Sequence, residues 1–308
     1  MGGSGGYFSS YSIDPEKLAQ KTREAEDKAR SEGFETEVNE FLSSELAEYN
    51  KRDVDGIKKI FESVKNDIEG DIEGTIELIY GGSISKHTYV DGLSDVDALV
   101  LIDKSELIGE LPIKLQQFFA DILKSRYGED SVSIGQLAVT LTVNDKNIQF
   151  IPALRDGDKY KIGSASGNRW SRINPQKFSE ALTKINKRMD GKLVPCIKLV
   201  KAIINKLPEK RRLTGYHTES LTIKIFKDYN GSKNPKEMVR YFFENAPIHV
   251  KQPIRDSSGQ SIYVDEYLGD SNSVERLTVS DSLGRIARKI RNADGDQSLE
   301  SWKELFES

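Results

Sequence analysis

The chain has 308 residues, enough for one large domain or two of ordinary size, and two lobes suit it better. Apolar residues make up 37% and charged residues 31%, which excludes a disordered chain, and a net charge of −4 excludes a generally basic protein that coats DNA. No apolar run approaches the roughly 18 residues of a membrane span and no signal-peptide pattern opens the chain, so no membrane partner and a cytoplasmic location are expected. The single cysteine, Cys196, excludes a disulfide framework; in the run Leu193-Val194-Pro195-Cys196-Ile197 it reads as a buried thiol.

Residues 1–10 read as a flexible tail, opening on Met-Gly-Gly-Ser-Gly-Gly, either natural or the remnant of a tag. Asp14-Pro15-Glu16 starts a helix that continues to about Arg30. Gly33 predicts an interruption, followed by a second helix carrying Phe41, Leu42, Leu46 and Tyr49 and a third with Ile57, Ile60, Phe61 and Val64 on one stripe. The texture then turns to strand: Thr75 to Tyr80, Asp95 to Ile102, and a hairpin of Gln136 to Val143 and Ile148 to Ile151 around Asn144-Asp145-Lys146-Asn147, with a helix from about Pro112 to Ser125 between. From Asn174-Pro175 onward the pattern is helical: one helix through Leu182, one over Leu193 to Leu207, then Glu219 to Tyr229, Pro235 to Asn245, Asp281 to Asn292 and Leu299 to Phe306. The class is α+β, a mixed sheet backed by helices in residues 11–173 and a helical C-terminal lobe in 174–308.

Charge is uneven along the chain. Between Lys184 and Arg212 ten basic residues stand against Asp190 and Glu209, a local balance of +8. A solvated helical face explains such a run; so does a wall facing polyphosphate, if an acidic metal site lies opposite.

Two elements carry chemistry. Gly81-Gly82-Ser83 ends a strand, and glycine there lets backbone N–H groups approach a phosphate, although an ordinary turn has the same composition. Asp95 and Asp97, two apart on a strand, leave one face and can share divalent ions; alternatively Asp95 ends a loop and Asp97 is an edge charge. Eleven residues separate Ser83 from Asp95, so the two elements close one strand and open the next.

Together Gly82-Ser83 and Asp95-Val96-Asp97 resemble the signature of the DNA polymerase beta-like nucleotidyltransferases, which include CCA-adding enzymes, oligoadenylate synthetases and cGAS. The whole string from Gly81 to Asp97 looks most like the bacterial cGAS/DncV-like nucleotidyltransferases of antiphage defence. Ile151-Pro152-Ala153-Leu154, Tyr160-Lys161-Ile162, Trp170 with Asn174-Pro175, the helix of Lys198 and Lys201, and Tyr216-His217-Thr218-Glu219 agree with that group. The likeness covers about Asn50 to Tyr229.

The resemblance implies a polymerase beta-like core that joins nucleoside triphosphates into a cyclic or short linear oligonucleotide with two Mg2+ (or Mn2+) ions. Gly82 and Ser83 would hold donor phosphates, and Asp95 and Asp97 the metals, about 3.5–4 Å apart. Lys198 and Lys201 would meet the triphosphate as point charges, with simple solvent exposure as the alternative. Tyr216 would stack on a base or serve as a core tyrosine. His87 and His217 read as structural, since a metal site needs no histidine to activate a hydroxyl. No effector or regulatory partner can be identified, and no stable duplex DNA binding is expected.

One position departs from the family. A third carboxylate is expected two or three residues before the proline of Ile151-Pro152, and this chain has Gln149. A neutral amide can ligate magnesium but adds no charge to hold it. Natural degeneration, deliberate disabling, or substitution by Asp145, Asp156 or Asp158 are the alternatives. A catalytically weakened nucleotide-binding sensor or subunit, and nucleotide transfer to a protein or tRNA, are the competing functions.

Overall fold

A computed structural model of the chain describes residues 15–50, 54–69, 75–80, 96–103, 109–135, 138–144, 146–157, 159–163, 169–256 and 263–307. Helix α1, Pro15–Tyr49, is a single helix of 35 residues, so Gly33 does not interrupt it. A lone glycine costs a helix only about 1 kcal/mol. That cost is offset where Phe34, Val38 and Leu42, spaced by four, bury one face of the helix in the apolar core beyond Gly33. The capping Asp14 lies outside the described residues.

Helix α2, Val54–Glu69, buries Phe61, Val64 and Ile68. Strand β1, Thr75–Tyr80, runs antiparallel to β2, Val96–Asp103. After helix α3, Pro112–Tyr127, come β3, Val132–Ile134, β4, Val139–Val143, and β5, Lys146–Asp156. The sheet order is β1-β2-β5-β4-β3, with β2 parallel to β5 and the other pairs antiparallel. Beyond the hairpin, β5 pairs with β6, Lys159–Gly163, and β6 with β7, Trp170–Ile173.

Helices α2 and α3 cover one face of this sheet. Ala98, Val100 and Ile102 of β2 and Ile148, Phe150 and Leu154 of β5 pack beneath them. Leu99, Leu101 and Ala153 pack on the other face with Ile162 and Ile173. Burial on both faces is why Ala98 to Ile102 is apolar without a break. The Phe150 ring lies 5.6 Å from that of Phe61 and 5.7 Å from that of Phe119, so both helices are pinned to one residue of β5.

The rest is helical: α4, Pro175–Arg188, α5, Leu193–Asn205, α6, Gly215–Ile225, α7, Pro235–His249, α8, Val274–Gly295, and α9, Leu299–Lys303. Asn174 caps α4 by accepting from Lys177 N, and Asn234 caps α7 by accepting from Glu237 N. Their shared core includes Phe34, Val38 and Leu42 of α1, and Asn39 Oδ1 accepts from Lys236 N of α7 at 2.9 Å. The N-terminal helix therefore packs with the C-terminal helices. None of the described helices is long and apolar enough to cross a membrane.

Candidate nucleotide site

Parallel pairing sets Asp97 of β2 opposite Gln149 of β5, and Thr140 of β4 flanks Gln149 on its other side. Phe150 is buried under α2 and α3, so the alternation of a strand turns Gln149 to the opposite face, where it is half-buried. Gly82, Ser83 and Asp95 lie outside the described residues, as does His87. Among the described residues, no group of three or more His, Cys, Asp or Glu could hold a metal.

Of the acids considered as replacements for Gln149, the described one, Asp156, lies far from it. Asp156 sits seven residues further along β5, about 23 Å at about 3.3 Å per residue. There its carboxylate accepts from Arg172 Nε at 2.5 Å and meets Lys161 Nζ at 3.2 Å. Those two cations hold its pKa below the usual carboxylate range, the Lys161 hydrogen bond foremost. Asp145 and Asp158 lie outside the described residues.

Lys198 and Lys201 are 4% and 8% exposed, which excludes simple solvation for both. The other basic residues of the run from Lys184 to Arg212 are exposed, apart from the half-buried Arg212. An apolar stripe at three- and four-residue spacing carries α5 into the core and takes the two lysines with it. Lys198 Nζ donates to Asn50 Oδ1 at the end of α1. Lys201 Nζ donates to Glu219 Oε1 of α6 at 2.6 Å, and Glu219 is 1% exposed.

Tyr216 opens α6. Its ring lies 4.8 Å from that of Phe178, and its hydroxyl donates to Asp256 Oδ1 at 2.7 Å. His217 is fully buried, with Nδ1 2.9 Å from the Tyr267 hydroxyl and Nε2 3.5 Å from Asp265 Oδ2. Burial pulls its pKa down to about 4 against the opposing pull of the Asp265 carboxylate, so the ring is neutral near pH 7. Cys196 is buried, which raises its thiol pKa and makes it inert.

Sequence reasoning missed the partners: Asn50, Glu219, Asp256 and the Asp265–Arg276 pair. Glu219 stood in a quoted motif, but its link to Lys201 joins two helices and has no local signal.

The model of the Second Messenger Oligonucleotide or Dinucleotide Synthetase domain matches residues 34–186, which includes Asp97, Gln149 and both pairing strands. The chain belongs to the cGAS/DncV-like nucleotidyltransferase family. Members of this family synthesise cyclic oligonucleotide second messengers and generally use divalent metal ions. Within the family the chain is 23% identical over 198 residues to a cyclic AMP-AMP-AMP synthase of Acinetobacter sp.; the match spans 58% of this chain and about half, 55%, of that relative. Its fold is similar to that of E. coli CdnC, solved with ATP, with a TM-score of 0.67 at 17% identity over 87% of this chain and 97% of the other. It is also similar to the Vibrio cholerae cyclic AMP-GMP synthase DncV, with a TM-score of 0.62 at 12% identity over 96% and 91% of the two chains.

Proposed function

We propose that this chain takes nucleoside triphosphates as substrates and joins them into a cyclic or short linear oligonucleotide, a second messenger of bacterial antiphage defence, in the cytoplasm. The observation that carries the reading is the register pairing of Asp97 with Gln149 in a chain whose family makes such messengers. Gly82 and Ser83 contribute backbone donors for the β- and γ-phosphates. Lys198 and Lys201 contribute point charges, and Tyr216 offers a ring to a base. The similarity to a cyclic AMP-AMP-AMP synthase makes ATP the first substrate to try.

Asp95 and Asp97 are hard oxygen donors of the kind Mg2+ and Mn2+ prefer, and the Gln149 amide offers a third oxygen. Two bound divalent ions would supply positive charge against the triphosphate and acidify an acceptor hydroxyl. We assign residues 11–173 to the transferase core, 174–308 to the helical lobe and 1–10 to a tail, with α1, in the first unit by sequence, packed on the C-terminal helices.

A second reading, a weakened nucleotide-binding relative, is favoured by Gln149 itself. Its amide adds no charge, and Asp156 is held at the far end of β5. The test incubates the purified chain with each labelled NTP and dNTP and magnesium or manganese, beside an Asp95→Ala/Asp97→Ala variant. Product from the parent chain that disappears in the variant supports the proposal. Triphosphate binding without product supports the second reading, and absence of both removes the nucleotidyltransferase function.

A further inference from the structure

Helix α6 is buried along a run of polar side chains, namely His217, Thr218, Glu219, Ser220 and Thr222. The two threonines place their hydroxyls on carbonyls one turn back, Thr218 on Thr214 O at 3.0 Å and Thr222 on Thr218 O at 2.7 Å. Glu219 instead reaches across to α5 and the Lys201 ammonium. A buried ion pair is a poor staple, because apolar side chains of similar volume hold two helices as well or better. The pair's position offers a better reason for it.

Gly215, the first residue of α6, is exposed, and a β-carbon added there would stand 3.6 Å from Lys201 Nζ and 3.7 Å from its Cε. The ammonium therefore lies just beneath the first turn of α6. That end of a helix carries the positive end of the dipole, and in α6 the Thr214 hydroxyl accepts from the His217 N–H at 3.2 Å. Lys201 adds a full charge to this end, and Glu219 opposes it from within.

We propose that Glu219 is a positioning residue for the donor triphosphate: it fixes the Lys201 ammonium beneath the first turn of α6 and offsets part of its charge, which weakens the hold on phosphate. This rests on the reading of Lys201 as a triphosphate partner. Glu219→Gln keeps an acceptor oxygen for the ammonium and removes the opposing charge. The variant then binds a triphosphate more tightly than the parent, by at least about fivefold, the effect of removing one charge about 4 Å away even under the full screening of bulk water.

The test titrates the full chain calorimetrically with the α,β-methylene triphosphates of the four ribonucleosides and magnesium, in the parent, Glu219→Gln, Lys201→Met and Lys201→Met/Glu219→Gln. The double variant has no charge left in the pair and guards against misfolding of either single one. The expected result is tighter binding in Glu219→Gln, weaker binding in Lys201→Met, and equal affinities, within about twofold, of Lys201→Met and the double variant. Affinity in Glu219→Gln equal to or below that of the parent, while Lys201→Met binds weakly, overturns the role of Glu219 alone. So does tightening that persists without Lys201. Parent and Lys201→Met binding alike removes Lys201 from the donor site, and the inference goes with it.

Discussion

Asp97 of β2 and Gln149 of β5 are register partners in the parallel pair of strands at the centre of the sheet. The relationship is fixed by the neighbour of Gln149. Phe150 is fully buried against Phe61 and Phe119, and a slip of one residue would put the amide into that core and the ring outside it. Whatever stands at position 149 therefore stands beside Asp97, and the residue type there can be changed without moving the strand.

The helical lobe depends on one buried cation. Arg276 is fully buried and donates to Asp265 Oδ2 at 2.7 Å, Val250 O at 3.0 Å, Asp265 O at 3.2 Å, Gly269 O at 3.0 Å and Asp270 O at 3.1 Å. It thus ties the segment between α7 and α8 to the start of α8. Arg276→Met leaves the buried Asp265 carboxylate without its cation and strips the carbonyls of their donor. The expected loss is about 3–5 kcal/mol of unfolding free energy by urea denaturation. A loss below about 1 kcal/mol would show that the segment is held in some other way.

His217 makes stability depend on pH with a definite sign. Its folded pKa of about 4 lies below the 6.5 of a free histidine, with burial as the main cause. As the pH falls the unfolded chain takes up the proton first, so this contribution is complete above pH 6.5 and drains away down to about pH 4. The shift corresponds to about 3 kcal/mol. Urea melts at steps between pH 7 and 4 are expected to show a shallower slope for His217→Asn than for the parent chain. Equal slopes would mean that the ring does not stay neutral in the fold.

Gly33→Ala tests the continuity of α1. The glycine is exposed, mid-helix, and an added β-carbon meets nothing within 4 Å. Alanine is expected to add about 0.5–1 kcal/mol by thermal or urea denaturation. A neutral or destabilising result would mean that the helix breaks there in solution.

The sequence made some features legible because they are local. Asn174-Pro175 announced its helix through cap chemistry, and the apolar spacing of α5 is visible without a structure. The helix break at Gly33 did not occur, because packing of Phe34, Val38 and Leu42 outweighs one glycine. Strands β3, β6 and β7 escaped because they have three to five residues, too few for a period to emerge. Of the candidate site, the residue types at 97 and 149 could be read, but their adjacency is a product of parallel pairing across some fifty residues. The burial of Lys198 and Lys201 was illegible for a related reason: their partners Asn50 and Glu219 come from other helices, and a lysine in an apolar stripe looks the same on a surface.

The role of Gln149 is tested by changing position 149 alone. The parent chain and Gln149→Asp are incubated with labelled ATP, then with each other NTP, in magnesium or manganese, and phosphatase-resistant product is measured over time. A carboxylate at position 149 adds the charge that the amide lacks, and product is expected to form at least about tenfold faster in Gln149→Asp, as a gain of about 1.4 kcal/mol or more in transition-state stabilisation requires. Product no faster than in the parent chain, with both variants folded and binding triphosphate, would contradict that role.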